Sequence, residues 1–226
     1  MLFDLFGTLI PTGSRDERDA VATRMAQVLD VDPGAFAELV RATFDERCRG
    51  RLGSLPESVR RLAERLGAHP SDAAVDTAVQ LRLELTRSLH RGAWALPVLA
   101  ALARLGFARG LVSDCSAETP LLWPDSPLAP YLDAVSFSCL TGHRKPEPEA
   151  YLTATRALGV DPRECLFVGD GGSRELTGAA ALGMTAVRFA PPGHPLGEAV
   201  DVDADWVGVE LGDLGELGGL LEQLSS

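Results

Sequence analysis

The chain has 226 residues, enough for one α/β domain carrying a large insertion and too few for a multidomain assembly. A formal net charge of −11, from 32 acidic against 21 basic residues, argues against nucleic acid and membrane surfaces as partners. With 46% hydrophobic residues the chain can bury a substantial core, yet no apolar run approaches the roughly 18 residues of a membrane span. The N-terminal stretch MLFDLFGTLI lacks the charged start and cleavage site of a signal peptide, so the expected location is cytoplasmic. Cys48, Cys115, Cys139 and Cys165 show neither a CxxC nor metal-type spacing and read as reduced thiols.

In chain order, Leu2–Leu5 reads as a first strand. It is short for a buried parallel strand, which points to a native start upstream of Met1. Four amphipathic helices and no strand pattern follow from Ser14 to about His90. Ser14 with Glu17 forms a capping box, Asp32 with Pro33 an N-cap and first turn, and Pro56 and Ser71 open the other two. The rhythm changes after Trp94. Pro97–Leu105 is expected as a helix, Gly110–Ser113 and Asp133–Phe137 as strands, and Pro146–Leu158 as a helix stopped by Gly159. A strand over Cys165–Val168, a helix over Arg174–Leu182 and a strand over Thr185–Phe189 complete an alternating pattern. Pro191–Asp205 reads as a loop before a last strand near Trp206–Val209 and a weak, glycine-spaced helix. The order implies a Rossmann-like parallel sheet with helices on both faces, a core of residues 1–11 and 92–226, and a helical insertion over 12–91.

Four constellations carry chemistry. Asp4 ends the first strand in FDLFGTL, with Gly7 freeing the turn and Thr8 adding a hydroxyl. Ser113, in GLVSDCS, ends another strand with a hydroxyl able to bind an oxyanion. Lys145 is the only lysine beside twenty arginines, which suggests a place that needs a compact ammonium rather than a planar guanidinium. Asp170 ends a buried strand in LFVGDGGSRELTG, with Glu175 five residues on. Two acids flanking glycines at a strand end form a divalent-cation pattern.

In this order and context the four motifs resemble those of the haloacid dehalogenase-like hydrolase superfamily, whose relatives carry a helical cap where residues 12–91 lie here. The resemblance implies Asp4 as a nucleophile forming a covalent ester that water then cleaves. Thr8, Ser113 and the turn amides at Asp114 would donate to anionic substrate oxygens, and Lys145 would neutralise charge. A magnesium ion would sit at Asp4, Asp170 and the backbone carbonyl of Phe6, with Glu175 holding a metal-bound water or Lys145.

The departure is Phe6, where phosphatases of this superfamily carry a second Asp that protonates the leaving group. A phenyl ring transfers no proton, a loss typically worth roughly 10²- to 10⁴-fold. Haloacid dehalogenases carry an aromatic residue there, since halide leaves without a proton, but they lack the acidic pair kept here. The acidic cluster decides for a magnesium-dependent phosphatase of a small anionic metabolite with an altered proton relay. The alternatives are a 2-haloacid dehalogenase, with Arg41 of the insertion over the substrate carboxylate, and a catalytically degenerate binding protein.

Overall fold

The computed structural model describes residues 1–192 and 201–224. Strand β1 (Leu2–Phe3) is shorter than Leu2–Leu5, although its ladder runs one residue further, where Asp4 N donates to Val168 O at 2.9 Å. The chain then turns back on itself. Leu9 N and Ile10 N both donate to Leu5 O, at 2.9 and 3.0 Å, which consumes the carbonyl that a longer strand would have paired.

Helices α1 (Arg15–Leu29), α2 (Pro33–Ala42), α3 (Phe44–Cys48), α4 (Leu55–Arg65) and α5 (Asp72–Arg91) follow, five where the sequence suggests four. The extra break lies at Thr43, whose hydroxyl donates to Leu39 O at 2.7 Å and whose backbone leaves the helical path. This back-bonding bends helices, and it splits the Phe36–Phe44 stripe in two. The capping box at Ser14 and Glu17 and the N-caps at Asp32 and Ser71 are present. Helix α4 begins one residue before Pro56, capped by a second box from Ser54 and Glu57.

The remaining elements are α6 (Leu96–Arg104), β2 (Gly110–Ser113), α7 (Glu118–Leu122), β3 (Ala134–Phe137), α8 (Ser138–Thr141), α9 (Pro148–Leu158), β4 (Leu166–Gly169), α10 (Glu175–Ala181), β5 (Thr185–Phe189), β6 (Val209–Leu211) and α11 (Leu217–Leu224). The short α7 and α8 carry no sequence signal of their own. Strand β6 falls past the expected Trp206–Val209, because Trp206 N is taken by a turn to Asp203 O at 3.2 Å and the indole packs beside Leu182 instead. The expected loop Pro191–Asp205 lies partly outside the described residues.

The six strands form one parallel sheet in the order β3-β2-β1-β4-β5-β6. Alternation along the strands sends Phe3, Leu111, Val168 and Val187 to one face, where α6 and α11 pack. Leu2, Val112, Phe167 and Ala186 go to the other, under α9 and α10. This is the α/β Rossmann-like architecture read from the sequence. Helices α1, α2, α4 and α5 enclose a separate apolar cluster around Met25, Phe36, Leu62 and Val79, which also receives Leu122 of α7.

Candidate active site

The carboxyl ends of β1, β2 and β4 meet at the middle of the sheet, where open parallel sheets bind ligands. Asp4, directly after β1, is 5% exposed. Its Oδ1 accepts from the ammonium of Lys145, and its Oδ2 accepts from Thr8 Oγ1 at 3.2 Å. Lys145 Nζ also donates to Glu175 Oε2 at 2.5 Å. The sole lysine therefore bridges two buried carboxylates. Its loop is fixed by Asp114, whose Oδ1 accepts Lys145 N at 3.0 Å and whose Oδ2 accepts Arg144 Nε at 3.2 Å.

Asp170 follows β4, with Oδ1 accepting Gly172 N at 2.9 Å. The turn after Asp4 must be glycine at position 7, where φ is +86° and an added Cβ would come within 2.2 Å of Asp170 Oδ2. Gly169 meets the same demand on the other side, since a Cβ there would lie 2.1 Å from Glu175 Oε1. Glu175 is fully buried at the start of α10, and its Oε1 accepts Gly171 N at 2.9 Å. One carboxylate oxygen each from Asp4, Asp170 and Glu175 lie within 4.8 Å of one another.

The electrostatics follow from this crowding. Burial pushes the Asp4 carboxyl up, Lys145 pulls it down and Asp170 pushes it up again, leaving it at about 6. Glu175 is likewise raised, by burial and then by Asp4. Burial opposes the charge on Lys145, but Asp4 and Glu175 together hold its ammonium well above the usual range. With all three carboxylates ionised against one ammonium, the cluster carries an excess of two negative charges. A hard divalent cation with oxygen ligands fits that donor set in both charge and chemistry.

Not every expected residue does what the sequence suggested. The Thr8 hydroxyl is committed to Asp4 rather than offered to a substrate oxygen. Asp114 acts through its carboxylate, which anchors the Lys145 loop, so its role visible here is positioning. Ser113 Oγ is buried and has no hydrogen-bond partner, which leaves its hydroxyl available. Arg41 lines the cavity over the site, but Nη1 pairs with Asp19 at 2.6 Å on an exposed helix face. Phe6 is half-buried and lines the same cavity.

That cavity, about 390 Å³, runs from Asp4, Lys145 and Asp170 into the helical cluster of α1–α5. Its far wall holds residues that sequence reasoning missed: Arg47 of α3, Arg82 of α5, and Ser116 and Glu118 beyond β2. Arg82 donates to Glu118 Oε1 through Nε at 2.8 Å and Nη2 at 2.5 Å. Asp203 was also missed. Its carboxylate accepts Leu176 N at 2.8 Å and so caps α10, the helix that presents Glu175.

Residues 1–183 match the family described as haloacid dehalogenase-like hydrolase. The glyceraldehyde 3-phosphate phosphatase of Methanopyrus kandleri is 29% identical over 197 residues, 84% of this chain and 82% of that protein. Among solved structures, a 2-haloacid dehalogenase from Pseudomonas syringae superposes with a TM-score of 0.71 at 26% identity, covering 99% of this chain and 97% of the other. A phosphatase of the same superfamily from Thermococcus onnurineus shares the fold with a TM-score of 0.63 at 22% identity, covering 97% and 96%. With the matched region spanning most of the chain and all four motifs, the protein belongs to the haloacid dehalogenase-like hydrolase family.

Proposed function

We propose that the protein is a magnesium-dependent phosphatase of small phosphorylated metabolites, working through an aspartyl-phosphate on Asp4. The observation that carries this reading is the charge excess of the Asp4, Asp170 and Glu175 cluster, which one lysine leaves uncompensated. An enzyme releasing halide needs no such cluster. The relatives named as phosphatases support the same choice. Residues 12–91 act as a cap over a core of 1–11 and 92–226, a division supported by the separate apolar cluster of helices α1–α5.

In this reading an Asp4 carboxylate oxygen attacks phosphorus, and the bond from phosphorus to the leaving oxygen breaks. Water then attacks the phosphoryl group, the bond to Asp4 breaks, and inorganic phosphate departs with the carboxylate restored. Magnesium bound by Asp4, Asp170 and the Phe6 carbonyl would supply the positive charge that lets an anionic phosphate approach an anionic nucleophile. Lys145 holds Asp4 ionised and oriented, and the unpartnered Ser113 hydroxyl donates to a phosphoryl oxygen. Thr8 orients Asp4 from the other side.

A second reading, 2-haloacid dehalogenase, is favoured by the aromatic side chain of Phe6 lining the cavity. An assay panel with and without magnesium separates the two. Magnesium-dependent phosphate release from acetyl phosphate, p-nitrophenyl phosphate or sugar phosphates is the expected outcome. Chloride release from 2-chloropropionate without magnesium would replace the phosphatase by the dehalogenase, and inactivity on the whole panel would point to a binding protein.

A further inference from the structure

The far wall of the cavity has a charge problem of its own. Arg47 makes two side-chain hydrogen bonds, from Nη1 to Ser116 Oγ at 3.1 Å and from Nη2 to Val40 O at 2.8 Å, and both acceptors are neutral. Its Nε is sealed from solvent without a partner. Among the described residues Arg47 has no ion pair, because the nearby Glu118 gives its Oε1 to Arg82 and to Ser116 Oγ, the latter at 2.7 Å. Two guanidinium groups thus face one carboxylate. Burial and the charge of Arg82 both weigh against the charge on Arg47, yet a guanidinium does not neutralise itself at ordinary pH. The surroundings offer no relief, since Leu52, Leu55, Val59 and Leu62 line the same space.

A buried cation without a counter-ion is costly unless something bound supplies one. Distance along the chain limits what that can be. Ser116 lies three residues beyond Ser113, a span of at most roughly 10 Å, so the Arg47 wall and the phosphate end of the cavity are a small molecule apart.

We propose that Arg47, supported by Arg82, reads a carboxylate on the substrate, making the preferred substrates phosphomonoesters of short hydroxy acids. This rests on the phosphatase reading and adds to it the group at the other end of the molecule. The Arg47 Nε–H donates to the carboxylate, and Ser116 and Val40 hold the guanidinium plane in place for it. Glu118 keeps Arg82 from competing for the Ser116 hydroxyl and leaves the wall with a single net positive charge.

The test is calorimetric binding, in magnesium, of phosphonoalkanoic acids with two to four methylenes against their terminal amides, on the full chain. For at least one length the acid is expected to bind about tenfold or more tightly than its amide, the size of one charge-assisted hydrogen bond. In Arg47→Gln that ratio is expected to collapse towards one. Should this variant fold poorly, Arg47→Lys keeps a charge but loses Nε, and the ratio is expected to fall without vanishing. Equal binding of acid and amide at every length in the unmodified protein, or a ratio retained in Arg47→Gln, overturns the proposal. Hydrolysis of p-nitrophenyl phosphate run in parallel separates the two claims. Turnover with a ratio near one removes the carboxylate site alone, whereas a full ratio without turnover supports the site and removes the phosphatase.

Discussion

Asp114 Oδ1 accepts the backbone amide of Lys145 at 3.0 Å across 31 positions of sequence, tying the loop after β2 to the loop that delivers the only lysine. The same carboxylate also takes Arg144 Nε. Removing it in Asp114→Ala leaves a part-buried amide and a guanidinium without their acceptor, a loss of about 1–3 kcal/mol in stability. It also frees the Lys145 ammonium to drift from Asp4, so kcat is expected to fall more than KM rises. Asp114→Asn keeps an acceptor for Lys145 N and should recover most of both. Equal kcat in the alanine variant and the unmodified protein would show that Lys145 is held by Asp4 and Glu175 alone.

The second prediction sets activity against stability at Asp4. Its carboxyl is held at about 6 by burial and by Asp170, despite Lys145, against an ordinary value of 3.8. A raised acid favours the folded state when protonated, so that contribution is complete below about pH 4 and is lost as pH rises through 6. At neutral pH the ionised group is therefore a burden of up to about 3 kcal/mol when no cation is bound. Asp4→Asn is expected to abolish turnover while keeping or raising the melting temperature in chelator at pH 7. A large drop in melting temperature would mean that the Lys145 pairing outweighs the crowding.

Magnesium should reverse that burden in the unmodified protein. Binding to the native state alone stabilises it by about 2.7 kcal/mol at a hundredfold excess over Kd, so the melting temperature should climb with millimolar magnesium. Asp170→Ala is expected to lose most of the increment, since Asp170 lies against the Gly7 turn with the other two carboxylates within 4.8 Å. A melting curve that ignores magnesium would mark the acid cluster as structural and strengthen the dehalogenase reading.

The positions most open to sequence reading were those whose chemistry is announced by rarity or by an abrupt end to an apolar run. Asp4, Ser113 and Asp170 each close a short buried strand, and Lys145 stands out among twenty arginines. Arg47 had no such signal. It differs from the other arginines only through contacts such as Ser116, 69 positions away, and through the seal over its Nε. The break at Thr43 was hidden for a similar reason, because the apolar spacing continues unbroken through it while a single hydroxyl redirects the backbone. Strand β6 depends on pairing with β5 at Val187 and Phe189, a long-range choice that the local pattern around Trp206 does not record.

Glu118 gives a prediction for acid conditions. Burial alone would raise its carboxyl, but Arg82 and then Arg47 outweigh it and hold the group at about 2. A depressed acid stabilises the fold above its unfolded value near 4.5, and that stability is lost as pH falls towards 2. The shift corresponds to about 3 kcal/mol at neutral pH. Urea unfolding of Glu118→Gln should show lower stability at pH 7 and a flatter decline between pH 4.5 and 2 than the unmodified protein. Parallel declines in the two proteins would place the acid sensitivity elsewhere.

The last prediction turns on Phe6. With no carboxylic acid at this position, negative charge on the leaving oxygen goes unneutralised in the transition state, so the rate should track how well that oxygen departs unaided. His143 does not fill the gap, because its exposed ring pairs with Glu147 at 3.1 Å and it is not among the residues lining the cavity. Acyl and aryl phosphates should therefore turn over much faster than alkyl phosphates, by an amount within the roughly 10²- to 10⁴-fold that general acid catalysis commonly provides. Phe6→Asp restores an acid beside Asp4 and should raise alkyl phosphate hydrolysis relative to aryl, provided the new carboxylate does not turn onto the cation. Equal rates on alkyl and aryl phosphates in the unmodified protein would mean that a cavity side chain already donates the proton. Since the Phe6 ring itself lines the cavity, its replacement also opens space there, so Phe6→Leu serves as the control that separates a gained proton from a gained volume.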